Sequence, residues 1–252
     1  MWKKTALILL IVITGAYVSF LSGCDKKERS LIVYSGKGIK STMEDVKQAF
    51  EQKHEIKVNI IYAGSNTLLS TIQKTRKGDV FIPGSVFYIK KAGDLVAHSQ
   101  YVALHIPTFA VRTDNPKGIR SFDDLLRPGI EIAVGNKDMC AIGRVADKII
   151  TGSSKDVEFA KNITITGSTV NELLDLVVQK EVDASLVWAD MLKWPESSEL
   201  KMIEMPSDIN MIKEIHIAVL TTTTNRKNAE LFTDFVATEG RTLFIKHGFG
   251  ER

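Results

Sequence analysis

Residues 31–70 decide the fold, and they read LIVYSGKGIKSTMEDVKQAFEQKHEIKVNIIYAGSNTLLS. Two apolar runs, 31–34 and 56–62, are typical of strands, and each is followed by a short Gly- and Ser-containing loop and then by a helical pattern. A helix that begins directly after a strand leaves backbone N–H groups unpaired at the positive end of its dipole. Two consecutive units of this kind can place both helix starts at the carboxyl edge of one parallel sheet, where open α/β folds bind ligands. The stretch therefore predicts a site for a small anion.

Residues 1–24 have the pattern of an export signal. Lys3 and Lys4 precede a nearly uncharged apolar run, 6–21, which is short for a membrane-spanning helix. The tetrapeptide Leu-Ser-Gly-Cys that follows is similar to a bacterial lipobox, which predicts lipidation of Cys24 as the first residue of the mature chain. We therefore interpret 1–23 as a lipoprotein signal peptide and 24–30 as a charged tether. The alternative is a plain N-terminal membrane anchor, and both interpretations place the domain outside the cytoplasm, close to a membrane.

Composition narrows the classes of partner. Removing residues 1–23, which hold two lysines and no acidic residue, lowers the formal net charge from +3 to +1. A nearly neutral domain is not typical of proteins that bind nucleic acid. It is also not typical of proteins that bind a membrane surface through a cluster of basic residues. With Cys24 lipidated, Cys140 is the single remaining cysteine, so no intramolecular disulfide is expected.

The order of strand and helix patterns predicts two lobes. After the tether the two patterns alternate, as mainly parallel α/β sheets require. The extended run 101–112, interrupted by Pro107, is expected to leave the first lobe, and the β-like run 214–220 is expected to cross back. The prediction is an α/β fold of two mixed lobes joined by a two-strand hinge, with a cleft between them. The predicted bounds are 31–106 plus 217–252 for lobe I and 107–216 for lobe II.

The patterns of common enzymes and metal sites are missing from the sequence. The loop at 36–42 is not a P-loop. A P-loop needs Gly-Lys-Ser/Thr without interruption, and here Ile39 separates Gly38 from Lys40 and Ser41. The histidines show no paired ligand spacing for zinc, and we interpret His105 and His216, on the crossing strands, as hinge or core residues. There is no Gly-x-Ser-x-Gly pattern, and Cys140 without a recognisable histidine partner is interpreted as a loop thiol. An exported enzyme is therefore the weaker alternative.

Six segments carry a resemblance to a known family. They are VYSGKGIKSTMEDVKQAFE, IYAGSNTLLSTI, GDVFIPGS, IAVGNKDMCAIGRVA, VDASLVWAD and LFIKHGFG. In this order and spacing they resemble the bacterial periplasmic molybdate-binding proteins, the solute receptors of molybdate ABC transporters, over 31–249. The resemblance implies the two-lobed type II fold of periplasmic binding proteins.

The resemblance also implies a set of site residues. In that family hydroxyls and backbone amides hold the oxyanion without a cationic side chain. The implied ligand-binding residues are Ser35, Ser65, Ala141, Val170 and Trp188. Additional candidates beside them are Gly36, Asn66, Thr169 and Asp190.

Five of these positions have a second interpretation or depart from the family. Ser35, Ser65 and Thr169 can each be an ordinary helix N-cap. Trp188 stands where the family has a tyrosine, and an indole donates but cannot accept a hydrogen bond, so we expect it to line the cleft. Asp190 would repel an anion if it faced the cleft, and we expect it on the surface or behind the contacting groups.

The function implied by the resemblance is a non-enzymatic receptor without cofactor or resident metal. It would be a monomer, lipid-anchored through Cys24 on the outer side of the cytoplasmic membrane. It would pass molybdate, and also tungstate, to an inner-membrane ABC permease with its ATPase, and would bind no nucleic acid. The alternatives are a receptor for sulfate or another oxyanion, a ferric-iron receptor, and a regulatory ligand-sensing domain. Iron receptors of similar fold use adjacent tyrosines near position 188, and sensing domains normally come with a DNA-binding helix-turn-helix.

Overall fold

The computed structural model describes residues 30–152 and 156–252. The predicted signal peptide, Cys24 and all but the last residue of the tether lie outside the described residues. Within the described ranges, no helix is long and apolar enough to cross a membrane.

The strands of the described chain form two five-stranded sheets. The strands are β1 (Leu31–Gly36), β2 (Val58–Ala63), β3 (Val80–Ile82), β4 (Val96–His105), β5 (Pro107–Arg112), β6 (Ile132–Gly135), β7 (Ile163–Gly167), β8 (Ala184–Trp188), β9 (Leu200–Ile203) and β10 (Lys213–Leu220). The strand order is β2-β1-β3-β10-β4 in the first sheet and β7-β6-β8-β5-β9 in the second. In the first sheet β1, β2 and β3 are parallel, and in the second β6 is parallel to β7 and β8. The predicted alternation of strands and helices around mixed sheets is confirmed.

Helices cover the faces of both sheets. The α-helices are α1 (Lys40–His54), α2 (Ser65–Thr75), α3 (Val86–Ala92), α4 (Ala141–Gly152), α5 (Asp156–Lys161), α6 (Val170–Val178), α7 (Arg226–Ala237) and α8 (Arg241–Lys246). Short 3-10 helices lie at Lys37–Ile39, Gly93–Leu95, Asp123–Leu126, Ala189–Lys193 and Pro195–Ser197. On one face of the first sheet α1, α7 and α8 bury an aromatic cluster in which Phe50 and Phe232 meet edge to face at 4.8 Å. Burying such a side chain contributes about 1.5–3 kcal/mol.

Parallel register brings the loops of each sheet to one edge. Ser35 near the end of β1 pairs with Tyr62 of β2 and with Ile82 of β3. The loops that follow these three strands therefore emerge side by side. The loops after β6, β7 and β8 do the same in the second sheet, because Gly135 of β6 pairs with Gly167 of β7 and β8 lies on the other side of β6.

The helix starts differ from the N-cap interpretation at two of three positions. Thr169 is an N-cap, since its hydroxyl accepts a hydrogen bond from the N–H of Glu172 at 3.3 Å. Ser65 is instead the first residue of α2, and Gly64 occupies the N-cap position. Ser35 lies inside β1, and Gly36 occupies the N-cap position of the following 3-10 helix. The N-cap interpretation of these two serines is wrong, because the strands run further into the loops than the apolar pattern shows.

The chain crosses between the sheets twice. The first crossing is at Ile106, between β4 and β5. The second lies between β9 and β10, and β10 belongs to the first sheet from its first residue, Lys213, which pairs with His105. The predicted return to lobe I at 217 therefore falls inside this strand. Pairing begins earlier than the sequence pattern suggests because β4 extends to His105 and offers a partner that far.

Candidate functional site

A cavity lies between the two lobes, at the edges where the parallel strands of both sheets end. Its volume is about 310 Å³, including the opening to solvent. Lobe I lines it with residues 36–39, 63–65 and Gly84, lobe II with 140–142, 169–170 and Trp188, and the crossing strand β4 with His105. The cavity is thus built from the two loops of the opening stretch of sequence and from their counterparts in lobe II.

The structure brings six of the nine predicted site residues to this cavity. They are Gly36, Ser65, Ala141, Thr169, Val170 and Trp188. They come from both lobes, as the resemblance implied. Their contact with a bound ion stays a prediction.

Helix starts supply most of the polar lining. Ser65, Ala141 and Val170 are the first residues of α2, α4 and α6, and the 3-10 helix Lys37–Ile39 adds a fourth start. The first N–H groups of a helix have no intrahelical partner and carry a partial positive charge. Four such starts around one cavity form a cluster of uncharged donors, which suits an anion.

Ser65 also presents its hydroxyl. The oxygen accepts a hydrogen bond from the N–H of Gly84 at 3.1 Å, in the loop after β3. The side chain is buried, and this contact fixes its orientation. Its own proton is therefore available to an oxygen atom in the cavity.

Two glycines allow the lobes to approach closely around the cavity. A Cβ on Gly38 would lie 2.8 Å from Cγ1 of Val170, and a Cβ on Gly64 would lie 2.5 Å from the carbonyl oxygen of Met139. Both contacts join lobe I to lobe II. The backbone-to-backbone approach at Gly64 excludes water from that side of the cavity, and low polarity around the donors strengthens their interaction with a charge.

Trp188 lies at the base of the cavity and is 2% exposed. Its ring stacks on that of His105, with centroids 3.7 Å apart and planes at 18°. Trp188 stands where the molybdate-binding family has a tyrosine, and it lines the cleft as expected. Its indole N–H can donate a hydrogen bond, but the side chain has no acceptor.

Three predicted residues do not line the cavity. Ser35 is fully buried in β1, and its hydroxyl donates weakly to the carbonyl of Gly36 at 3.4 Å. Asn66 donates from its side chain to the carbonyl of Asp138 in lobe II at 2.6 Å. Asp190 is buried beside His105, 2% exposed, with Oδ1 3.2 Å from Nε2 of His105.

The cavity lining includes two cationic or titratable residues that we did not predict there from the sequence. Lys37 lies in the Gly-Lys-Gly loop, and His105 ends β4. The charge of Lys37 is one contribution to the lowered pKa of Glu172, after the hydrogen bonds from Ser168. The resemblance implied a site without cationic side chains, so these two residues are a departure. Lys37 could have been noticed because it lies within the decisive loop, whereas His105 gives no local signal.

The thiol of Cys140 is a third titratable group in the wall. Burial raises its pKa to about 11. Its sulfur lies 3.5 Å from the carbonyl oxygen of Asn136, and its own carbonyl accepts a hydrogen bond from the hydroxyl of Tyr88 at 3.3 Å. A neutral, inward-held thiol adds no charge to the cavity. In the part of the chain that the structure describes, no three His, Cys, Asp or Glu residues are grouped as metal ligands would be.

Residues 31–250 match the family model described as bacterial extracellular solute-binding protein. The chain belongs to this family. This solute-binding protein is 28% identical over 223 residues to a binding protein of Haemophilus influenzae, a match that covers 87% of this chain and 90% of the relative. It is 25% identical over 241 residues to the molybdate-binding protein ModA of Mycobacterium tuberculosis, covering 91% and 88% of the two chains.

Solved structures confirm the predicted two-lobed type II fold of this solute-binding protein. The sulfate-binding protein SubI from Mycobacterium tuberculosis superposes with a TM-score of 0.78 at 20% identity, covering 87% of this chain and 86% of that one. The family also places the domain outside the cytoplasm, which agrees with the predicted export signal.

Proposed function

We propose that this solute-binding protein captures molybdate, and also tungstate, between its lobes and delivers it to an ABC permease in the cytoplasmic membrane. The observation that supports the proposal most directly is the meeting of four helix starts, from both lobes, on one cavity. The relative from Mycobacterium tuberculosis that is named as molybdate-binding matches along nearly the whole chain.

Neutral donors are suited to a receptor that must also release its ligand. A buried dianion needs several hydrogen bonds to replace its water, and each charge-assisted bond contributes about 1.5–3 kcal/mol. Backbone N–H groups supply these bonds without adding a charge of their own to the empty cavity. Opening of the lobes at the two crossings would return the ion to solvent.

The arrangement favours binding over catalysis. Cys140 and His105 are the thiol and the imidazole in the described lining. Both nitrogens of His105 face oxygen atoms, those of Gly84 and Asp190, and neither nitrogen is hydrogen-bonded to the thiol. A nucleophile paired with a base is therefore missing from the described lining, and we include the absence of enzymatic activity in the proposal.

Sulfate is the second candidate ligand. The solved sulfate-binding protein has the same fold over most of this chain. Sulfate has the same charge and shape as molybdate but shorter bonds to oxygen, so the same donors would hold it less tightly if the cavity fits the larger ion. Cavity size, more than donor chemistry, separates the two.

Membrane attachment and oligomeric state complete the proposal. The Leu-Ser-Gly-Cys sequence at 21–24 supports a lipid anchor on Cys24. We propose that the protein is a monomer, since both walls of the cavity come from one chain and no second copy is needed to complete it.

Isothermal titration of the purified protein against molybdate, tungstate, sulfate and phosphate tests the proposal. Molybdate and tungstate should bind at least about tenfold more tightly than sulfate, a difference of about 1.4 kcal/mol. Equal affinity for sulfate would remove the molybdate preference. Absence of binding by all four ions would overturn the oxyanion receptor itself.

The site is tested in the same titration with Ser65→Ala. Loss of one hydroxyl donor to the dianion should weaken molybdate binding at least about tenfold, since a charge-assisted bond contributes about 1.5–3 kcal/mol. Ser70→Ala, further along α2 and outside the cavity lining, is the matched control and should bind as the unmodified protein does. Equal affinity of the two variants would place the ion elsewhere.

A further inference from the structure

His105 forms part of the cavity wall, and Asp190 lies next to it. His105 lines the cavity and is fully buried, and Asp190 is 2% exposed. The imidazole lies between Trp188, at 3.7 Å, and Phe249, at 5.2 Å between ring centroids. The two rings fix the plane of the imidazole, so the directions of its nitrogens are fixed as well.

Each nitrogen of His105 faces an oxygen atom. Nδ1 lies 3.1 Å from the carbonyl oxygen of Gly84, which can only accept, so Nδ1 must carry a proton. Nε2 lies 3.2 Å from Oδ1 of Asp190, and neither atom makes a well-formed hydrogen bond to any described residue. Two lone pairs at this distance would repel each other, and a proton on either atom removes that repulsion.

We propose that His105 and Asp190 hold one proton between them, and that this proton is required for the oxyanion to bind, an inference that rests on the proposed function. The proton makes the pair neutral as a unit, whether it sits on the imidazole or on the carboxyl group. Without it, the pair carries a full negative charge behind the wall of an anion site. His105 and Asp190 are thus positioning residues that determine when the site accepts a dianion.

Burial keeps the proton in place. Oδ2 of Asp190 also lacks a partner among the described residues, and an ionised carboxylate in such surroundings is costly. Burial accordingly raises the pKa of Asp190. When a dianion enters, its field favours the form with the proton on His105, because the positive end of the pair then faces the ligand.

Other charged groups around the pair do not replace this proton. His247, from the end of α8, interacts with Asp190 at longer range, but its Nε2 is paired with Asp45 at 2.8 Å. Lys193, on the same 3-10 helix as Asp190, lies against Gly248. In the cavity, the titratable neighbours are Lys37 and Cys140, together with Tyr88, whose hydroxyl donates to the carbonyl of Cys140. None of these groups is within hydrogen-bond distance of the pair.

Charge rescue tests the role in binding. His105→Gln removes the base that shares the proton, so Asp190 should lose its proton at a lower pH than the pair does, and molybdate affinity at about pH 8 should fall at least about tenfold. The double variant His105→Gln with Asp190→Asn replaces the pair by two neutral amides and should restore affinity to within about threefold. His216→Gln, on the other crossing strand and outside the cavity lining, is the matched control and should bind as the unmodified protein does. A double variant as weak as His105→Gln would overturn the proposal, as would a His105→Gln variant that binds normally.

The pH profile separates a charge effect from a packing effect. In His105→Gln, molybdate affinity should recover as pH falls and Asp190 becomes protonated, whereas the double variant should show no such recovery. Parallel profiles for the two variants would mean that His105 only fills space, which contradicts the proposal.

Nuclear magnetic resonance of the ligand-free protein determines directly whether His105 and Asp190 share a proton. This measurement is possible even if the variants do not fold or no oxyanion binds. With ¹⁵N-labelled histidine and ¹³C-labelled aspartate, Nδ1 of His105 should be protonated at about pH 8, together with either Nε2 or the carboxyl group of Asp190. An unprotonated Nε2 beside an ionised Asp190 would overturn the shared proton. If the wild-type protein binds none of the four ions, the proposed function fails. The spectrum still shows whether His105 and Asp190 share a proton.

Discussion

Burial controls the chemistry of Cys140, the titratable thiol in the cavity wall. The side chain is 4% exposed, and its pKa is raised to about 11. A raised thiol pKa favours the folded state below the ordinary value of about 8.5, and this contribution is lost as pH rises toward 11. The thiol therefore stays protonated and unreactive at neutral pH.

We predict that Cys140→Ser removes part of the alkaline loss of stability. Between about pH 8 and about pH 10.5 the unmodified protein should lose up to about 1.4 kcal/mol per pH unit more than the variant, because the thiol of the unfolded chain ionises in this range and a serine hydroxyl does not. Urea denaturation of both proteins at the two pH values measures the difference. Identical pH dependence would show that the thiol is already accessible to water in the folded protein.

The residues of the site were predictable to different degrees for physical reasons. Ser65 follows from its place after a strand, and the structure puts it in the cavity. Ala141 and Val170 are proposed to bind through backbone N–H groups, which leave no side-chain signal, so only the family resemblance could point to them. His105 was interpreted as a hinge or core residue because its role depends on Asp190, which lies far away in sequence and next to it in space.

At the scale of elements, the site depends on how each strand passes into its helix. Strand and helix periodicity in the opening stretch predicted the β–α units, and the structure confirms them. Their ends were less predictable, since hydrogen-bond partners and not apolar periodicity determine where a strand stops. Gly36 still belongs to β1, and β10 begins at Lys213, because partner strands extend that far.

A substitution at Gly64 tests whether the close approach of the β2–α2 loop to lobe II is needed for binding. Its backbone has φ −60° and ψ 142°, which any residue adopts, so Gly64→Ala should fold normally and keep its ligand-free melting temperature. The added Cβ would lie 2.5 Å from the carbonyl oxygen of Met139 in lobe II. Closure should therefore be obstructed, and molybdate affinity should fall at least about tenfold.

Titration calorimetry and thermal denaturation of Gly64→Ala measure the two effects separately. A loss of affinity with an unchanged ligand-free melting temperature places the effect in closure. A variant that binds normally would show that Met139 can move away at little cost, and a lowered melting temperature would show that Gly64 is needed for folding.

The whole molecule is held closed by contacts between α2 or α3 of lobe I and the segment 136–144 of lobe II. The N–H of Asn66 donates to the carbonyl of Met139 at 3.3 Å, and the guanidinium of Arg144 lies 3.7 Å above the ring of Phe87. These contacts join the lobes without touching the cavity lining at Ser65 or Trp188. The sequence could predict two lobes and a cleft, but not these contacts, because each joins residues far apart in the chain. Asn66, predicted as a candidate ligand contact, lies in this closing surface.

Arg144 allows the closing contribution to be measured apart from ligand contacts. Arg144→Ala removes the cation–π contact with Phe87, which contributes about 0.5–2 kcal/mol, so molybdate should dissociate about twofold to thirtyfold faster. Lys148→Ala is the matched control, because Lys148 is an exposed residue of the same helix and its loss removes the same charge without a ring contact. Stopped-flow fluorescence, with Trp188 in the cavity as the reporter, measures both rates. If closure is part of affinity, only Arg144→Ala should accelerate release, because the ligand leaves through the opening between the lobes. Equal acceleration in both variants would assign the effect to long-range charge, and no acceleration in either would mean that the ligand contacts alone hold the lobes together.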